Sequence, residues 1–94
     1  MEIERMIEIE HNVMEILEAH RKKKKVTLDA LGKMLYPNDS SPYMRIQSLR
    51  KPMANGRTRR LPLGDFMALC EALELDYVRV LFEGAEKIQI SKAE

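Results

Sequence analysis

Apolar residues recur at spacings of three and four along almost the whole chain, and this is the period of an α-helix. Strand-like alternation occurs only near the end, where Ile88 and Ile90 fit a short strand or a frayed terminus equally well. With 94 residues the chain can build one core, because a second core of such small size rarely folds without metals or disulfides. The sequence therefore predicts a single all-α domain.

Caps and prolines mark the first three predicted helices. Helix one covers 2–22 and is apolar over about half of its circumference. Thr27 is a typical N-cap for the second helix, and Pro37 ends it. Ser41 followed by Pro42 is an N-cap followed by a proline at the first helical position, so the third helix begins there.

Two further helices complete the predicted core. The fourth opens at Pro62 and carries an apolar stripe at Leu63, Phe66, Met67, Leu69, Cys70 and Leu73. A short fifth helix, 77–82, is capped by Asp76 and ended by Gly84. The residues that we expect at the centre of the core are Leu31, Ile46, Leu49, Phe66, Leu69 and Leu73.

Composition excludes several broad classes of protein. The chain is 45% hydrophobic and 33% charged, which is typical of a globular protein rather than a disordered one. It has one cysteine, so no intramolecular disulfide can form. It has no run of about 18 apolar residues that could span a membrane, and its N-terminus is acidic, unlike a secretory signal. We expect a small cytoplasmic domain of bacterial or phage type.

The residues that could support catalysis are poorly placed for it. His11 and His20 lie nine residues apart on one helix, without cysteine or acidic partners at metal-ligand spacing. Cys70 falls in the apolar stripe of the fourth helix, where a small buried hydrophobe is the usual interpretation. No glycine-rich phosphate loop is present. We therefore expect no enzyme activity, no cofactor and no metal.

Charge is unevenly distributed, although the net charge is only +1. Residues 1–20 contain six glutamates, whereas 21–25 read RKKKK. Residues 40–64 contain no acid but six lysines and arginines. The run RKKKK alone is more typical of a solvated face, but the acid-free stretch predicts a local positive field that suits nucleic acid.

Helices two and three, with the turn between them, predict a helix-turn-helix unit. In this motif the second helix enters the major groove and presents the outward face of its first turns to the bases. The expected base-reading residues on that face are Tyr43, Arg45, Gln47, Ser48 and Lys51. The expected phosphate-binding residues, at the start of helix two and after helix three, are Lys25, Thr27, Asn55, Arg57, Thr58, Arg59 and Arg60.

Two segments resemble a known family. VTLDALGKML (26–35) is similar to helix two of phage-repressor-like helix-turn-helix domains of the Cro/CI or Xre class, and LPLGDFMALCEALELDYVRVLF (61–82) is similar to their fourth helix and the segment after it. The resemblance covers 13–82 and implies a five-helix, lambda-repressor-like domain that binds double-stranded operator DNA, usually as a homodimer. It also implies that Gly32 is the small residue that lets two helices approach closely.

The chain departs from this family in three places. The turn at 36–41 is about four residues longer, Arg50 replaces a common glutamate, and the loop from Pro52 to Leu61 is enlarged and basic. Residues 1–12 extend helix one beyond the family core, and 83–94 form the tail. We expect the extension to form the dimer interface through Ile3, Met6, Ile7 and Ile9, unless the tail folds back over them.

The main hypothesis is a sequence-specific transcriptional regulator of the phage-repressor type. The alternative is an adaptor that kept the fold but binds a protein partner, and an antitoxin that binds both a toxin and its own promoter lies between the two. The acid-free basic stretch favours DNA, whereas the apolar extension and the long turn favour a protein partner.

Overall fold

Five α-helices account for most of the described chain. The structure is a computed structural model, which describes the backbone at residues 2–50 and 60–93 and the side chains at residues 2–48 and 60–87. Within these ranges it contains no strand. The helices are α1 (Ile3–Lys23), α2 (Leu28–Leu35), α3 (Pro42–Arg50), α4 (Leu63–Ala72) and α5 (Tyr77–Ala93). The prediction of an all-α domain with five helices is confirmed, and the first four helices begin within one residue of the expected positions.

The prediction of a short fifth helix with a strand or a frayed tail is wrong, because α5 continues without a break to Ala93. Gly84 does not end the helix but lies buried inside it, where a Cβ atom would be 2.7 Å from Cγ2 of Val13. The Gly84 carbonyl accepts a hydrogen bond from Nδ2 of Asn12 at 3.1 Å. This glycine therefore serves close packing against α1. The expected cap is correct, since Oδ1 of Asp76 accepts from the Val78 amide at 3.0 Å.

The core lies between α1 and the remaining helices, with α5 packed along α1 and α2 packed against α3. Five of the six expected central residues are buried, and the side chain of Leu49 lies outside the described residues. The expected stripe on α4 is too wide, since Leu63 and Met67 are 69% and 40% exposed. Leu63 lies in the first turn of α4 and Met67 lies one position past Phe66, on the solvent side. The buried set is Val13, Leu17, Leu31, Ile46, Phe66, Leu69, Cys70, Leu73 and Val80.

Helices α1 and α4 end in the same backbone motif, with a non-glycine residue in the left-handed region. Lys25 has φ 59° and Glu74 has φ 58°. At each end two backbone hydrogen bonds form the Schellman pattern: Lys25 N–H to Lys22 O, Val26 N–H to Arg21 O, Glu74 N–H to Glu71 O, and Leu75 N–H to Cys70 O. The Lys24 ammonium donates to the Leu73 carbonyl, so it joins the two helix ends.

Candidate nucleic-acid interface

A close approach of backbones holds α2 and α3 together. Gly32 is buried in α2, and a Cβ atom at this position would lie 2.6 Å from the carbonyl oxygen of Pro42 and 3.2 Å from the amide nitrogen of Tyr43. The first turn of α3 therefore rests directly on the glycine. The close helix approach expected at Gly32 is confirmed, and it fixes where α3 starts relative to α2.

The long turn between α2 and α3 is closed by its own hydrogen bonds. The Asp39 amide donates to the Tyr36 carbonyl at 3.2 Å, and Oδ1 of Asp39 accepts from the Ser41 amide at 2.9 Å. The Ser41 carbonyl then accepts the first helical bond, from the Arg45 amide at 3.1 Å. The extra residues thus form a defined structure that leads into the start of α3 at Pro42.

Tyr36 connects this turn to α4. Its hydroxyl donates to Oδ1 of Asp65 at 2.9 Å. Burial, together with the hydrogen bond to Asp65, raises the pKa of Tyr36 to about 12, so the phenol stays a neutral donor at physiological pH. No local sequence pattern predicts this pair, because 29 residues separate its members.

The outward face of α3 shows two of the expected base-reading residues clearly. Tyr43 is 41% exposed, and the Arg45 side chain is 58% exposed. Ser48 is half-buried and donates from its hydroxyl to the Arg45 carbonyl at 2.7 Å. Gln47 buries Oε1, for which the described residues supply no hydrogen-bond partner, so bidentate reading of adenine would need another rotamer. Lys51 lies outside the described residues.

Arg45 is held in place by two groups of the turn. Its Nη1 lies 3.7 Å from Oδ2 of Asp39, and its guanidinium carbon lies 4.9 Å from the centre of the Tyr36 ring. The first is a long ion pair between partly exposed groups, and the second is a cation–π contact. Both hold the guanidinium near the start of α3.

Three of the seven expected phosphate-binding residues are described: Lys25, Thr27 and Arg60. Lys25 is exposed, just before α2. Thr27 caps α2, as expected, by accepting from the Ala30 amide at 3.1 Å. Its hydroxyl proton is still available as a donor, because the cap uses only the oxygen. The other four expected residues, which lie outside the described ranges, are Asn55, Arg57, Thr58 and Arg59.

Arg60 has an acidic partner on α1 that the sequence did not suggest. Its Nη2 and Nε donate to the Glu10 carboxylate at 2.6 Å and 3.0 Å, and the Leu61 amide donates to the same carboxylate at 2.7 Å. The hydrogen bond from Arg60 lowers the pKa of Glu10, although burial opposes this. Residues 40–64 contain no acid, but one of their arginines, Arg60, is paired with an acid from α1 in the folded chain.

The run RKKKK serves the fold as well as the surface. Arg21 pairs with Glu18 at 2.9 Å and donates to the Val26 carbonyl at 2.8 Å, with only 12% of its side chain exposed. Lys24 binds the Leu73 carbonyl and so links the ends of α1 and α4. The remaining lysines of the run, which are all exposed, are Lys22, Lys23 and Lys25.

The apolar extension of α1 is only partly available as an interface. Ile9 packs against the core, Met6 and Ile7 are half-buried, and Ile3 is 51% exposed. The described polar contacts of α5 with α1 lie further along, at Asn12 and at Glu15, whose carboxylate is 3.3 Å from Nζ of Lys87. These contacts place α5 beside the middle of α1.

Cys70 is a buried core residue, as its position in the stripe suggested. Burial raises the pKa of its thiol to about 11, and the charge of Asp76 adds to this effect. Among the described side chains, no three of the types His, Cys, Asp and Glu are grouped so as to hold a metal. Over the same part of the chain, no helix is long and apolar enough to cross a membrane.

Comparison with known proteins assigns no family to the chain. No protein-family model matches it, and neither a curated protein nor a solved structure does. Support for a function therefore comes from the described side chains and their geometry.

Proposed function

We propose that the chain is a sequence-specific DNA-binding regulator of the phage-repressor type, which acts in the cytoplasm as a homodimer and without catalysis. In this proposal α3 enters the major groove of operator DNA, and bound protein blocks or recruits polymerase. The observation that carries it is the α2–turn–α3 unit, in which Gly32 brings the two helices into contact and Tyr43 and Arg45 project outward.

The chemistry of the exposed groups fits the two tasks of such a helix. Arg45 can donate two hydrogen bonds to guanine O6 and N7, which is the commonest specific contact in the major groove. Lys25 and the hydroxyl of Thr27 lie at the start of α2, where they would bind phosphate and fix the position of the protein on the duplex. Base reading and backbone anchoring are thus assigned to different helices.

The first test is selection from a random pool of double-stranded DNA, followed by sequencing. We expect one enriched site, with the two related halves that a homodimer imposes. A pool that stays random after repeated rounds would refute sequence-specific binding.

The second test separates reading from anchoring. Arg45→Ala should weaken the selected site by roughly 1–3 kcal/mol and relax the preference at one base position. Lys25→Ala should weaken all sequences alike and reduce the log–log salt slope by about 0.9. Asp39→Asn is the matched control, because the amide still accepts from the Ser41 backbone but no longer holds Arg45 by charge. It should strengthen binding slightly. If Arg45→Ala lowers the affinity for selected and scrambled DNA equally, Arg45 binds phosphate instead.

A protein-interaction adaptor, or an antitoxin-like partner protein, is the second candidate. It is favoured by the internal pairing of two expected DNA-binding groups, Arg45 with Asp39 and Arg60 with Glu10. A gel-shift series at low and moderate salt distinguishes the candidates. DNA binding that is absent even at low salt would favour the adaptor, since nonspecific electrostatic binding is strongest there.

A further inference from the structure

Met44, which is not among the expected base-reading residues, has the most exposed apolar side chain in the described part of α3. It is 64% exposed, against 41% for Tyr43. Met44 precedes the buried Ile46 by two residues, which places it about 160° around the helix from Ile46 at 100° per residue. By the same count Arg45 lies about 100° from Ile46 on one flank, and Tyr43 about 60° from it on the other. Met44 is therefore at the centre of the outward face, nearly opposite the core.

The surroundings of Met44 suit a polyanion better than an apolar protein surface. Residues 40–50 contain no acid, and the positive charge of Arg45 lies directly beside Met44. Met44 and Tyr43 together are far too small for a stable protein interface, which needs about 800 Å² from each partner. A polyanion drawn to this face would bring its own groups against Met44. To contact the thioether favourably, one of those groups has to be apolar.

Thymine supplies such an apolar group in the major groove of DNA. Its C5-methyl group projects into the groove, whereas the other base edges there present hydrogen-bond donors and acceptors, which a thioether matches poorly. The unbranched side chain of methionine adapts readily to an irregular surface. Consecutive Cα atoms are 3.8 Å apart, close to the 3.4 Å rise between base pairs. Met44 and Arg45 therefore reach the same base pair or adjacent ones.

We propose that Met44 is a specificity-determining residue that packs against the C5-methyl group of a thymine next to the guanine that Arg45 reads. This role of Met44 rests on the proposed function, and it names one further base of the preferred site. Arg45 attracts any DNA by its charge, whereas the contact of Met44 forms only where a methyl group is present. In unmodified DNA this group occurs only on thymine, so the preferred base is identified.

The first experiment replaces that thymine by deoxyuridine in the site enriched from the random pool. Uracil lacks only the methyl group and keeps the base pair, and the protein is unchanged. The wild type should bind the uracil duplex about fourfold more weakly for each half-site replaced, which is the value of one methyl-sized group kept in water. Deoxyuridine outside the half-sites is the control and should change the affinity less than about twofold. An enriched site without thymine beside the guanine, or a uracil duplex bound as tightly as the thymine duplex, would overturn the role of Met44 alone. A pool that stays random would refute the proposed function and this role with it.

The second experiment identifies the side chain that contacts the methyl group. Met44→Ala should bind the thymine and uracil duplexes equally, within about twofold, because the group that distinguishes them is gone. Its affinity for scrambled DNA should match that of the wild type, since no phosphate contact is lost. Met67→Ala is the matched control, because Met67 is 40% exposed but lies on α4, and it should distinguish the duplexes as the wild type does. If Met44→Ala still prefers thymine over uracil as strongly as the wild type, a neighbour such as Tyr43 contacts the methyl group and the role of Met44 is wrong.

Discussion

Replacing Gly32 by alanine tests the contact on which the geometry of α3 depends. The new Cβ atom would lie 2.6 Å and 2.8 Å from the carbonyl oxygen and carbon of Pro42. Both are backbone atoms, so no side-chain rotation relieves the clash and α3 must move. Overpacking of this kind costs about 1–3 kcal/mol, and we expect the upper part of that range because backbone has to shift. Alanine is more favourable than glycine inside a helix by about 1 kcal/mol, which offsets part of this cost. The net loss of stability should therefore be about 1–2 kcal/mol.

Gly64→Ala is the matched control for this substitution. Gly64 also lies in a helix, but a Cβ atom there would have no neighbour within 4 Å. Alanine at this position should raise the stability by about 0.5–1 kcal/mol, since it restricts the unfolded chain without a clash. The two variants should consequently differ by about 1.5–3 kcal/mol. Urea denaturation followed by circular dichroism measures this difference as a shift of the midpoint at an unchanged slope.

Equal stabilities of the two glycine variants, within about 0.5 kcal/mol, would refute the close approach of α2 and α3. A second readout connects the contact to function. Because a displaced α3 presents Arg45 at a different angle, Gly32→Ala should discriminate less well between selected and scrambled DNA at a temperature where the variant is folded. Gly64→Ala should discriminate as the wild type does.

Three further predictions concern stability. Leu31→Ala and Leu73→Ala should each cost about 2–5 kcal/mol in urea unfolding, because both side chains are buried, and a cost below about 0.5 kcal/mol would contradict their burial. Glu74→Gly should raise the melting temperature, equivalent to about 1 kcal/mol, by relieving a left-handed backbone, whereas Glu74→Ala should bring no such gain. The lowered pKa of Glu10 means that its bond to Arg60 stabilises the fold above the ordinary value of 4.5 and is lost as the pH falls through the lower native value. Glu10→Gln should therefore be less stable than the wild type at neutral pH, and the difference should shrink in acid; a constant difference would contradict this linkage.

The sequence predicts those features of the fold that depend on neighbouring residues. Thr27, Ser41 and Asp76 are recognisable as starts of helices because a cap acts within three residues of its own position. Gly84 is misleading for the opposite reason. In sequence it is a typical helix end, but its role depends on Val13 in another helix, which the local pattern does not contain.

In the candidate site, too, the sequence predicts only the features that depend on neighbouring residues. The outward position of Arg45 follows from helical periodicity once the start of α3 is known, so the sequence predicts it. Its partner Asp39 lies across the turn, and the support of that turn by Asp65 depends on how α2 packs against α4. Arg60 and Glu10 are 50 residues apart. Charge counting along the chain therefore overestimates the number of arginines that face solvent without an acidic neighbour.

These two arginines differ in how readily DNA could recruit them. The pair of Arg45 with Asp39 is long and exposed, and such pairs contribute about 0–1 kcal/mol. A bidentate contact with guanine is worth about 1–3 kcal/mol of discrimination. The correct base can therefore displace Asp39, whereas a wrong base does not accept the two hydrogen bonds that would be needed to displace it. Arg60 binds Glu10 through two nitrogens, and the same carboxylate holds the Leu61 amide just before α4. Release of Arg60 would disturb the entry to that helix. We therefore expect Asp39 to hold Arg45 until the correct base displaces it, at a small cost in affinity, and Arg60 to remain with Glu10 when DNA binds.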